Sequence, residues 1–137
     1  MNGLTVPPSG KRTICIDFDG VIIPFVSDLY ADVKPLFGAA TAIRSFAERG
    51  FRIVILTSRM SHEWWMAENS NVANAVSFGI AQRNYVEGIL RKNDIPYDLV
   101  TSEKVPALRY LDDRAIYFNG DWGVATDAVE DAVAGTR

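Results

Sequence analysis

The chain has 137 residues, enough for one domain with a single substantial core. Its 48% apolar and 23% charged residues exclude a disordered or fibrous protein, and a formal net charge of -3 argues against the basic face that general nucleic-acid binding needs. The only cysteine, Cys15, excludes an intramolecular disulfide, no stretch is long enough to span a bilayer, and the opening residues lack the pattern of a secretory signal, so a cytoplasmic protein is expected.

Residues 1–10, with Pro7, Pro8 and Gly10, read as a flexible lead-in. Ile14, Cys15 and Ile16 then form the short apolar run of a strand buried on both faces, and Gly20 ends it. The run stops in two acids one residue apart, Asp17 and Asp19. Ligands of open α/β sheets bind beyond the carboxyl ends of the strands. Acids brought together there repel each other unless a hard cation, most simply Mg2+, lies between them. Val21 to Tyr30 is apolar but broken by Pro24, which predicts an irregular flap over the acids.

Leu36, Ala39, Ala40, Ile43, Phe46 and Ala47 recur at helical spacing ahead of Gly50, a helix-ending residue, so a helix is predicted within 35–50. Phe51 to Leu56 is a second β-branched run, closing at Thr57-Ser58-Arg59. Strand, helix and strand at this spacing form a parallel βαβ unit, which places Thr57 and Ser58 on the same edge as Asp17 and Asp19. Over 61–94 the spacing of Val72, Ala75, Val76, Gly79 and Ile80, then of Tyr85, Val86, Ile89 and Leu90, predicts one or two helices ending near Lys92 and Asn93. His62, Trp64 and Trp65 read first as packing residues, placed where they could also wall a pocket. Three further strands are predicted at 95–100, 108–111 and 115–118, with Lys104 between the first two and Asp112-Asp113 after the second, and a closing helix follows Ala125. The expectation is one α/β domain over 1–137: a three-layer, Rossmann-like arrangement around a mainly parallel five-stranded sheet.

Successive strand ends thus present a pair of acids, a hydroxyl pair, a lysine and a second pair of acids. This set resembles the haloacid dehalogenase-like (HAD-like) superfamily of phosphohydrolases over nearly the whole chain. Asp17-Phe18-Asp19-Gly20 matches the first family motif, Thr57-Ser58-Arg59 the second, Lys104 the third and Asp112-Asp113 the fourth. The resemblance implies Mg2+-dependent hydrolysis of a phosphate monoester, with Asp17 as the nucleophile that forms an aspartyl-phosphate and Asp19 as the acid and then the base. Thr57, Ser58, Arg59 and the amides around Phe18 would hold phosphate oxygens, and Lys104 would offset the charge. Mg2+ would take the Asp17 carboxylate, the Asp19 carbonyl and the Asp113 carboxylate, with Asp112 behind them. Each role answers a physical need, because anionic phosphate repels a nucleophile and its transition state spreads charge that cations and donors must neutralise. Carbon-halogen cleaving members lack the second acid, so Asp19 points to phosphate.

Family members often carry a cap domain. Only the flap and one helix separate Asp17 from Thr57, and 61–94 is largely consumed by crossing to the third strand, so a capless domain with an open site is expected. Open sites of this kind accept small phosphorylated metabolites, nucleotides or bulkier substrates, or are closed by a neighbouring subunit of a homo-oligomer. The sequence selects none of these, and it favours neither a membrane nor nucleic acid as a partner. The alternative is a receiver-like module that accepts a phosphoryl group without turnover; receivers, however, place the accepting Asp on a later, central strand.

Overall fold

Side-chain alternation along the first strand sorts the molecule into two faces. In a computed structural model, which describes residues 9–69 and 71–135, the strands are β1 (Thr13–Asp17), β2 (Arg52–Leu56), β3 (Leu99–Thr101) and β4 (Arg109–Leu111). The helices are α1 (Ala39–Glu48), α2 (His62–Asn69), α3 (Val72–Lys92) and α4 (Trp122–Ala134). All pairings are parallel and the strand order is β3-β2-β1-β4. Of the expected lead-in, residues 1–8 lie outside the described residues.

Ile14 pairs with Ile53 and Ile16 with Ile55, so these four side chains share one face, where they cluster with Ile43 of α1 and Val86, Ile89 and Leu90 of α3. Both helices cover that face because two successive right-handed crossovers step in the same direction along the sheet. The opposite face carries Cys15 and Val54, both buried, and is crossed by the return from β3 to β4. The Cys15 thiol lies 3.9 Å from the Val105 carbonyl on that return, and Leu108 N–H donates to the Thr13 carbonyl at 2.8 Å.

One expectation is corrected, and the three-layer arrangement is not confirmed. The sheet has four strands among the described residues, not five: 115–118 forms no strand, and Ile116, Tyr117 and Phe118 are exposed. A β-branched and aromatic run becomes a strand when a pleated face is there to bury it. Here the neighbouring β4 is itself exposed along its length. The three-layer arrangement is likewise not seen among the described residues. The return between β3 and β4 contains no helix, and α4, the expected closing helix, buries none of its residues. The 61–94 stretch resolves into two helices, the second started by Asn71, whose side chain accepts from Asn74 N–H at 3.1 Å.

Candidate active site

Strand register decides which residues meet. Asp17 pairs with Leu56, Leu56 with Thr101, and Ile16 with Leu111, so Asp17 and Asp112 come level at the carboxyl edge of the sheet, with Thr57 and Ser102 one residue beyond. They line a 400 Å3 basin together with Ser58, Lys104 and Arg114.

Carboxylate oxygens of Asp17, Asp112 and Asp113 all lie within 4.8 Å of one another. Burial pushes the Asp17 carboxyl up to about 6; the Phe18 N–H, donating to Asp17 Oδ1 at 2.8 Å, works against the rise, and the charges of Asp112, Asp113 and Asp19 add to it. A half-buried carboxyl with two further acids beside it is a condition a divalent cation relieves. The all-oxygen donor set, open on the side of Asp112 and Asp113, suits a hard ion such as Mg2+. Asp112 is partly committed, since its Oδ1 accepts from Arg114 N–H at 2.7 Å. Lys104 stands on the rim with its ammonium 5.2 Å from the centre of the Tyr110 ring.

Thr57 is buried, donates its N–H to the Thr101 carbonyl at 2.8 Å and accepts from Arg59 N–H at 3.2 Å through Oγ1, which starts the 3-10 turn Ser58–Met60. Ser58 is exposed at the mouth. Phe18 has a fully buried ring, and its N–H is directed at Asp17.

Asp19 and Arg59 are placed differently from the other motif residues. Arg59, expected at the phosphate, is 4% exposed, and its guanidinium forms a two-pronged pair with Asp19, Nε to Oδ2 and Nη2 to Oδ1, both at 2.8 Å. Its Nη1 donates to the Leu29 carbonyl at 2.6 Å and to Gln82 Oε1 at 2.8 Å, while Phe18 and Tyr85 flank it at 5.5 and 4.9 Å. A guanidinium so saturated is a structural rivet, joining the flap to α3 and fixing Asp19. Tyr85 O–H to the Ala31 carbonyl and Lys92 to Asp32 continue the same seam.

The aromatic cluster after the Thr-Ser-Arg turn divides by role. Trp65 is buried, donates Nε1–H to the Arg59 carbonyl at 2.7 Å and stacks on Phe78. Trp64 is exposed and lines a second cavity beside the basin, whereas His62 lines a separate 200 Å3 hollow with Met60 and Arg83. Arg114, Ser61 and Ser102 are basin residues that sequence reasoning missed. The available signal for Arg114 was its place directly after the fourth motif. A cavity of 680 Å3 lies away from these strand ends, and two of its cations are already engaged, Lys92 with Asp32 and Arg44 with the Asp94 carbonyl.

No family model and no curated protein matches the sequence significantly. Solved structures do. A conserved protein from Bacteroides thetaiotaomicron aligns with a TM-score of 0.54 at 16% identity, covering 90% of this chain and 93% of that one. A crystallised target protein from Vibrio cholerae aligns with a TM-score of 0.53 at 22% identity, covering 88% of this chain and 98% of that one. A protein from Mesorhizobium loti carrying a provisional HAD-like phosphatase name aligns at 0.47 and 16% identity, over 95% of this chain and 61% of that one. The chain shares its α/β fold, with a parallel sheet, with the first two. Among the described residues no helix is long and apolar enough to cross a membrane.

Proposed function

We propose that this protein is a Mg2+-dependent phosphoric monoester hydrolase acting through an aspartyl-phosphate, as a single HAD-like domain without a cap. The observation that carries the reading is the meeting of Asp17, Asp112 and Asp113 oxygens within 4.8 Å of one another, beside a basin that Asp17, Asp112 and Lys104 line. Asp17, Asp113 and the Asp19 backbone carbonyl would hold the ion, with Asp112 supporting from the Arg114 turn. The ion would supply positive charge that offsets the carboxylates and the phosphoryl oxygens.

The residues of the chain supply the rest. Asp17 is the nucleophile: one of its oxygens bonds to phosphorus as the ester oxygen-phosphorus bond breaks. Asp19 enters this step carrying a proton, which the departing alkoxide takes; the carboxylate left then regains a proton from the water that cleaves the aspartyl-phosphate and restores Asp17. Both Asp19 oxygens are engaged by Arg59, so this transfer requires one arm of that pair to loosen. The basin's donors include the Thr57 and Ser58 hydroxyls, the Lys104 ammonium and the Arg114 guanidinium, which stabilise charge on the transferring group.

The test is phosphate release from p-nitrophenyl phosphate. The expected result is turnover that EDTA abolishes and that Asp17→Asn abolishes; robust activity in Asp17→Asn refutes the nucleophile assignment. Uptake of one phosphoryl group from acetyl phosphate without ester turnover would identify a receiver-like module instead.

A further inference from the structure

The basin has an apolar neighbour. A second cavity of 370 Å3 is lined by Phe25, Val26 and Leu29 of the flap and by Trp64 of α2, with Asp19 and Arg59 also in its wall. Ser58 and Ser61 line both spaces, so the two are direct neighbours. We propose that this cavity receives the alcohol portion of the substrate and selects phosphate monoesters whose alcohol carries a flat aromatic group; this rests on the phosphatase reading above.

Four observations support it. Asp19, the group assigned to protonate the leaving oxygen, lines the apolar cavity, while Asp17, the group assigned to attack phosphorus, lines the basin. A leaving group would therefore depart toward the apolar side. Phe25 is 65% exposed and Trp64 42% exposed, aromatic surface that a ring inserted between flap and helix would cover. The Arg114 guanidinium lies 5.3 Å from the Phe25 ring centre and also lines the basin, so one cation marks the boundary between the phosphate side and the ring side. The size is discriminating as well. A cavity of about 150 Å3 suffices for benzene, so 370 Å3 has room for a one- or two-ring group and none for a folded macromolecule.

The flap is held in place for this task. Arg59 fixes the Leu29 carbonyl and Tyr85 the Ala31 carbonyl, so the apolar wall stands on a buried scaffold rather than on a free loop.

Calorimetric binding of benzylphosphonate and methylphosphonate in the presence of Mg2+ tests the inference without requiring turnover. The expected result is at least tenfold tighter binding of benzylphosphonate, with the ratio falling below threefold in Trp64→Ala and in Phe25→Ala. Both residues are exposed, so neither substitution removes core. Equal affinities for the two phosphonates overturn the inference and leave the proposed hydrolysis standing. A benzyl preference unchanged in both variants also overturns it, because the ring would then bind elsewhere. Binding of neither phosphonate, together with no hydrolysis of p-nitrophenyl phosphate, overturns both readings.

Discussion

A Cβ placed on Gly20 would come within 2.4 Å of Asp113 Oδ2, and Gly20 has a φ of +80°. The first motif therefore ends in glycine for two reasons, a left-handed turn after the acids and a bare backbone on which the fourth motif can rest. Gly20→Ala is expected to cost about 1–2 kcal/mol from the turn alone and to push Asp113 away from Asp17. Urea denaturation measures the first effect. Loss of the Mg2+-induced rise in melting temperature measures the second, and an unchanged rise would show that Asp113 does not need this approach.

Asp112 and Asp113 are expected to separate in the same assay. Asp112 already accepts from Arg114 N–H, whereas Asp113 lies against Gly20 beside Asp17. Asp113→Asn should weaken Mg2+ binding about tenfold or more, the scale on which losing one carboxylate contact of about 1.4 kcal/mol is felt. Asp112→Asn should weaken it less. The reverse order would reassign the direct ligand.

The Asp17 carboxyl, raised to about 6 chiefly by burial, makes the metal-free protein sensitive to pH. Its ordinary value is 3.8, so the folded state holds the proton more tightly than the unfolded chain. The resulting stability is fully present below pH 3.8 and is lost as pH rises through about 6. Asp17→Asn removes the charge and keeps an oxygen able to accept from Phe18 N–H. At pH 7 in EDTA the variant should melt above the parent protein, and the gap should close on acidification toward pH 4. A variant melting below its parent at pH 7 would show that the charge is not penalised there.

Much of this site was legible because its residues end or follow apolar strand-forming runs, and parallel pairing forces such ends onto one edge. Asp17, Thr57, Lys104 and Asp112 meet in the basin for that reason, whichever helices connect them. Arg59 could not be read in the same way. As the third residue of a Thr-Ser-Arg turn at a phosphate site it reads as an anion binder, and only the position of Gln82, 23 residues further on, and of Leu29, 30 residues back, turns it inward. The fifth strand failed for a related reason. Ala115 to Phe118 has strand composition, but burial, not composition, completes a strand, and β4 offers it no covered face.

Arg59 itself provides the sharpest separation between a binding role and a structural one. Truncation in Arg59→Ala would strip partners from Asp19, from the Leu29 carbonyl and from Gln82 Oε1, and would uncover the paired Phe18 and Tyr85 rings. Removing one member of a largely buried ion pair costs about 3–5 kcal/mol, and the lower end applies here because the Asp19 side chain keeps 20% exposure to water. Arg59→Lys keeps the charge but loses the planar fork, so an intermediate loss is expected. Urea denaturation in EDTA reads both without reference to catalysis. A phosphate-binding Arg59 would give the opposite pattern, with stability within about 0.5 kcal/mol of the parent, as for an ordinary surface change, and a raised KM. The same variants should loosen the flap, so faster hydrogen exchange at Ala31 N–H, which donates to the Asp28 carbonyl, is expected alongside the lost stability.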